Sequence, residues 1–192
     1  THNYTCTPCS NGNVCTTTAL TAPDDACDAG YWCNLGAATT TPDCVLTGCI
    51  YLYDVCPAHH YCPAGSSLPL GCAPGTYNAE EGQTTCGDCT AGYYCLGGGV
   101  APIICPAGSY CPAATASATE HLCPLGTYSN KTGLIQESQC ETCPAGYYCP
   151  ILGSGETNGT CDAGYFCGGG SYTATPADSD GYHITYVGDT SV

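Results

Sequence analysis

Basic charge is almost missing from this chain: one Lys and no Arg stand against sixteen Asp and Glu, a formal net charge of −15. A phosphate backbone would be repelled, which excludes nucleic acid as a partner, and anionic membrane surfaces are disfavoured for the same reason. Aliphatic bulk is just as scarce. Leu, Ile, Val and Phe together number twenty-four of 192 residues, too few for an oily interior and, taken alone, a composition that predicts disorder. No apolar run approaches the ~20 residues that cross a bilayer, so direct membrane insertion is not expected. The chain also opens at Thr1 with neither Met nor an apolar leader, which reads as a processed or partial chain.

What is present in excess is cysteine, 21 residues, enough for covalent staples to replace the missing core. A reducing cytosol would leave such a chain unfolded, so the expected setting is extracellular: secreted or at the cell surface. Cys-x-x-Cys occurs at Cys6/Cys9, Cys86/Cys89 and Cys140/Cys143. Each pair is followed at a fixed distance by a third cysteine and no four-ligand zinc spacing recurs, so zinc is disfavoured. A thioredoxin-type redox motif lacks its βαβ surroundings.

The cysteines follow a repeat. Six phrases share the spacing C-x5-C with an aromatic before the second cysteine: "CDAGYWC" (27–33), "CPAHHYC" (56–62), "CTAGYYC" (89–95), "CPAGSYC" (105–111), "CPAGYYC" (143–149) and "CDAGYFC" (161–167). Repetition at this fidelity marks an array. All but the second carry a Gly suited to the positive φ of a tight turn. The terminal aromatics Trp32, Tyr61, Tyr94, Tyr110, Tyr148 and Phe166 are expected to pack on neighbouring disulfides as miniature cores, with a sugar-stacking role as the alternative. His59 and His60 occupy turn positions in the second phrase, where a variant turn is the simpler reading than a metal site.

At a larger scale, two six-cysteine modules open on Gly-Thr-Tyr phrases, "CAPGTY" (72–77) and "CPLGTY" (123–128). The expected organisation is a partial module at 1–35, an irregular one at 36–71, modules at 72–122 and 123–167, and a Gly-rich hinge with a strand at 168–192. With these spacings, residues 6 to 167 resemble the ephrin-receptor-like cysteine-rich repeat of surface proteins, itself similar to the tumour necrosis factor receptor module. Six cysteines allow fifteen pairings, which sequence alone leaves open.

The resemblance implies pairing of first with second, third with fifth and fourth with sixth: Cys72–Cys86, Cys89–Cys105 and Cys95–Cys111, then Cys123–Cys140, Cys143–Cys161 and Cys149–Cys167. By the same analogy Cys9–Cys27 and Cys15–Cys33 form the first module, and Cys44–Cys56 and Cys49–Cys62 the irregular one. Cys6 is left over, unpaired or joined to another chain. The implied fold class is small and disulfide-rich: an elongated rod of tandem modules with short antiparallel strands and turns and little helix.

Between the cysteines lie hydroxyl-rich segments, "TTTALTAP" (16–23), "AATTTP" (37–42) and "PAATASAT" (112–119), which read equally as polar loops or as O-glycosylated stretches. Their candidate acceptors are Thr16, Thr17, Thr18, Thr39, Thr40, Thr41, Thr115, Ser117 and Thr119. Asn3, Asn130 and Asn158 each begin an Asn-x-Thr acceptor for N-glycans. Near the C-terminus, Tyr182, Ile184 and Tyr186 alternate with polar neighbours as an assembly strand would, and a lone strand needs a sheet edge to join. Asp178-x-Asp180-Gly181 resembles the opening of a calcium loop without its terminal Glu, so an ordinary turn is preferred and no cofactor is otherwise implied.

No Gly-x-Ser-x-Gly elbow, phosphate loop or paired-carboxylate phrase appears, and no enzyme is expected. The leading expectation is a structural glycoprotein: a subunit of a filament, flagellar hair or surface coat, joined end to end with copies of itself and carrying covalent glycans. An adhesive or ligand-binding receptor ectodomain is the alternative, and a secreted inhibitor or enzyme the least favoured. With −15 per chain, self-association should depend on salt, divalent cations or sugar layers.

Overall fold

A computed structural model of the chain describes residues 9–15, 23, 25–34, 37, 40 and 53–176. Cys6, Cys44 and Cys49, Asn3, Thr16 to Thr18, Thr39 and Thr41, the Asp178–Gly181 stretch, and Tyr182, Ile184 and Tyr186 lie outside the described residues. The fold is a tandem array of disulfide-closed turns with short antiparallel strands, and the described residues contain one 3-10 turn, Glu137–Gln139, as their only helical element. They form two compact units. One comprises the residues up to Cys89 together with Cys95–Pro102, and the other Thr90–Tyr94 and the residues from Ile103 onward. The division falls within the ring closed by Cys89 and Cys95, inside the sequence module 72–122.

The building block is a ring of seven residues closed on itself. Cys9–Cys15, Cys27–Cys33, Cys56–Cys62, Cys89–Cys95, Cys105–Cys111, Cys143–Cys149 and Cys161–Cys167 are all disulfides between cysteines six apart. The first of these, "CSNGNVC", is a seventh copy whose C-x5-C spacing and central Gly were visible but whose missing Ala and aromatic concealed it. Local geometry causes the closure. The residue three after the opening cysteine takes a positive φ, +88° at Gly30 and +80° at Gly108, and the next residue donates its N–H back across a four-residue turn, as Tyr31 does to the Asp28 carbonyl at 3.1 Å. The chain reverses, and the two cysteine Cα atoms arrive 5.8 to 6.0 Å apart, inside the range a disulfide spans.

This corrects most of the pairing that the receptor resemblance implied. Cys72–Cys86 and Cys123–Cys140 stand. The pairs Cys9–Cys27, Cys15–Cys33, Cys89–Cys105, Cys95–Cys111, Cys143–Cys161 and Cys149–Cys167 do not form, because each partner is already taken by the cysteine at the other end of its own ring. Cys44–Cys56 and Cys49–Cys62 likewise give way to Cys56–Cys62. A crossed linkage would have tied ring to ring through sulfur; here that connection is made by hydrogen bonds.

After each turn the chain pairs with the two residues ahead of the next opening cysteine. In the first unit β1 (Asn13–Val14) pairs with β2 (Asp25–Ala26), β3 (Tyr31–Cys33) with β4 (Tyr53–Val55), β5 (His60–Tyr61) with β6 (Leu70–Gly71), and β7 (Thr76–Tyr77) with β8 (Gly87–Asp88). In the second, β9 (Tyr93–Tyr94) pairs with β10 (Ile103–Ile104), β11 (Thr127–Tyr128) with β12 (Glu141–Thr142), and β13 (Tyr147–Tyr148) with β14 (Gly159–Thr160). A bridge between Ser109 and Leu122 holds the corresponding place after the ring Cys105–Cys111. All are antiparallel and keep one register.

Sulfur forms the interior. Twelve of the disulfide cysteines are at most 1% exposed, whereas Val14, Ala37 and Leu134 are the only buried aliphatic residues described. Of the aromatics expected to pack on neighbouring disulfides, Trp32, Tyr61, Tyr94, Tyr110 and Tyr148 are half-buried and Phe166 is 40% exposed, so none is a fully buried core residue. Tyr77 and Tyr128 occupy the same position in the two longer loops, so eight aromatics hold this place in the repeat.

Candidate functional site

The recurring feature with the strongest geometry is the clamp between successive rings. The turn residue of one ring donates its N–H to the carbonyl that ends the following ring, and its own carbonyl accepts the N–H of that ring's opening cysteine. Gly30 does so with Cys62 and Cys56, both at 2.8 Å, and Gly126 with Cys149 at 2.9 Å and Cys143 at 2.8 Å. Gly12, Gly75, Gly92 and Gly146 repeat the arrangement. Two bonds per step satisfy backbone groups that the buried cysteines would otherwise strand.

The clamp also explains the two long loops. Counting six residues from Cys72 and Cys123 reaches Asn78 and Ser129, where a ring-closing cysteine would stand. Both are buried, and both take the cysteine's part in the clamp: the Asn78 carbonyl accepts from the His59 N–H at 3.1 Å and the Ser129 carbonyl from the Gly108 N–H at 2.8 Å. The Asn78 side-chain amide donates to the carbonyls of His60 and Thr85, at 3.1 and 2.9 Å, so its polarity is satisfied inside. Nothing in the spacing alone marked Asn78 or Ser129. Only alignment on the opening cysteines, with the closing ones ignored, would have found them.

His59 is the variant turn residue that its phrase suggested. It holds a φ of +69°, costly for an L side chain, with its Nδ1 2.9 Å from the Asn78 carbonyl and its ring stacked on Tyr77 at 5.1 Å. Ala114 takes φ +66° in the corresponding turn after Cys111.

The polar contacts outside the clamp are concentrated around the Cys123–Cys140 loop. Tyr110 stacks on His121 with centroids 5.3 Å apart, and its hydroxyl donates to the Glu137 carboxylate at 3.3 Å. Withdrawal from water and then the Glu137 charge hold the Tyr110 phenol above its ordinary range. Lys131, the single cation of the sequence, pairs with Glu141, raising the Lys131 ammonium and lowering the Glu141 carboxyl through a mutual hydrogen bond and then charge.

The candidate modification residues separate on exposure. Asn130 and Asn158 are exposed, as is Thr119, while Ser117 and Thr40 are half-buried. Thr115 is withdrawn from the O-glycosylation candidates: it is 1% exposed and its hydroxyl donates to the Pro112 carbonyl at 2.7 Å, closing a turn. Ser66 and Thr127 use their hydroxyls in the same way.

A shallow hollow of 260 Å³ lies beside the ring Cys161–Cys167, lined by Phe166, Gly168 to Thr173 and Pro176, with Tyr172 49% exposed at its side. Among the described residues no three His, Cys, Asp or Glu side chains gather as metal ligands, and no helix is long and apolar enough to cross a membrane. No protein-family model matches this chain, and no curated protein matches it.

Proposed function

We propose that the chain is a structural subunit of an extracellular filament, flagellar hair or surface coat, a glycoprotein joined end to end with copies of itself. The observation that supports this most directly is the clamp. Gly12, Gly30, Gly75, Gly92, Gly108, Gly126 and Gly146 each bond to the ring or loop that follows by the same two backbone bonds, and His59 by its N–H, so stability accrues step by step along an array without an oily interior. A chain stapled repeatedly by short disulfide rings keeps its form where unfolding, drying or shear would defeat a hydrophobic core, and such staples persist outside the cell. On this reading the protein acts mechanically and performs no chemistry. The likeness to ephrin-receptor-like repeats is one of motif, since the ring-closing pairing departs from that of receptor modules.

The hollow beside Phe166 and Tyr172 supports a second reading, an adhesive surface in which an aromatic-rimmed depression takes a sugar ring. Electron microscopy of native material, with and without chelator and at low ionic strength, separates the two. Filaments or ordered coats carry the structural reading. Dispersed particles that bind an immobilised glycan array would replace it with the adhesive one.

A further inference from the structure

The two described sequons, Asn130-Lys131-Thr132 and Asn158-Gly159-Thr160, are far apart in sequence, yet the fold of the second unit brings them to one edge. Ser129, the residue before Asn130, donates its N–H to the Ser154 carbonyl at 3.0 Å. Ser154 in turn places its hydroxyl 3.4 Å from the Asn158 side-chain oxygen, and the Gly155 backbone packs against the Ser129 carbonyl, so that a Cβ there would lie 3.8 Å from it. Ser129 and Ser154 are both buried, at 0% and 8% exposure, while Asn130, Lys131, Thr132, Asn158 and Thr160 are exposed. Two inward serines therefore anchor adjacent segments from which the two asparagines project into solvent.

We infer that Asn130 and Asn158 both carry N-glycans and that the two sugars leave the chain side by side, each shielding the other from processing enzymes. The inference rests on the extracellular reading above, because the donor is met only in the secretory pathway. In the transfer step Nδ2 of the asparagine attacks C1 of an oligosaccharide held on a polyprenyl pyrophosphate. The N–C1 bond forms, the C1–O bond breaks, the pyrophosphate leaves with the electron pair, and the amide proton passes to a base of the host transferase. The Thr two residues on, Thr132 or Thr160, completes the acceptor. A neutral sugar layer at this edge also offers a contact between chains that would otherwise repel through their charge.

The test is secretion of the full chain from a eukaryotic host, followed by a non-reducing peptide map and glycopeptide mass spectrometry. Two glycans are expected, with a large oligomannose fraction at Asn158. Thr132→Ala should remove one glycan and shift Asn158 toward processed forms, and Asn130→Gln should do the same through a different atom in case one variant misfolds. Asn158→Gln should have the reciprocal effect at Asn130. One glycan or none on a correctly disulfide-bonded secreted chain overturns the inference while leaving the extracellular reading in place, as does a glycoform pattern at Asn158 indifferent to Asn130. A secreted chain with its thiols reduced overturns the extracellular reading itself.

Discussion

The seven short rings and the two long loops solve the same problem by different means. In a short ring the positive-φ turn brings the sixth residue back onto the opening cysteine, and a disulfide closes the circle. In the loops opened by Cys72 and Cys123 the same turn is made by Gly75 and Gly126, with φ +79° and +77°, but Asn78 or Ser129 arrives in place of a cysteine and the sulfur reaches forward to Cys86 or Cys140. The clamp to the neighbouring ring is nevertheless intact in both. The difference teaches that the turn and its backbone bonds define the repeat, and the disulfide locks a geometry already set. The long loops use this freedom to host what the short rings cannot: Asn130, the Lys131–Glu141 pair and the 3-10 turn all lie within or beside the Cys123–Cys140 loop.

If the turn governs, damage to it should exceed any surface change. Gly108→Ala places a Cβ 2.0 Å from the Gly153 carbonyl oxygen at a φ of +80°. Its expected cost in denaturant unfolding is about 3 kcal/mol or more, from overpacking and left-handed strain together. Gly146→Ala, at φ +85° but with no neighbour within 4 Å of the new Cβ, should cost only the strain, about 1 to 2 kcal/mol. Equal losses at the two positions would mean that close approach between turns contributes nothing.

A second change sharpens the comparison by converting one kind of loop into the other. Ser129→Cys puts a thiol where a short ring has one, so Cys123 should close on residue 129 and leave Cys140 as a free thiol. Non-reducing peptide mapping and thiol titration read this directly, and retention of Cys123–Cys140 would show that the long loop selects its own partner. A smaller effect is expected at Ala114, whose φ of +66° suits Gly better: Ala114→Gly should stabilise by about 0.5 to 1 kcal/mol, measured as a rise in the unfolding midpoint.

The smallest effect concerns the loop's ion pair. The Glu141 carboxyl is held below its ordinary 4.5, so its contribution is present above that pH and is lost as pH falls through the lowered value. The Lys131 ammonium is held above 10.5, so its contribution is present below that pH and is lost as pH rises through the raised value. Lys131 is exposed and Glu141 partly so, and screening keeps the effect slight. Lys131→Met should flatten both flanks of the stability profile at low salt and leave the middle nearly unchanged; an unaltered profile would assign the pair no part in stability.

Much of the repeat was legible in the residues. The spacing C-x5-C, the Gly three after the opening cysteine and the aromatic before the closing one announced an array of tight turns, and the shortage of aliphatic side chains assigned the interior to sulfur. The pairing was not legible, because cysteines six apart and cysteines one module apart are both compatible with the spacing. Distance after chain reversal chooses between them. Nor did any local pattern distinguish Thr115, whose hydroxyl closes a turn, from the exposed Thr119 a few residues on.

Composition and repetition by themselves determined that this protein would be a disulfide-stapled array of turns with short strands, since no other source of stability was available to so few apolar residues. Tertiary structure alone decided which sulfur meets which, that Asn78 and Ser129 stand in for cysteine, and that Asn130 and Asn158 share an edge. Each of those is a matter of where the chain returns in space after a left-handed turn, and spacing along a sequence carries no record of that return until the backbone bonds between neighbouring turns are in place.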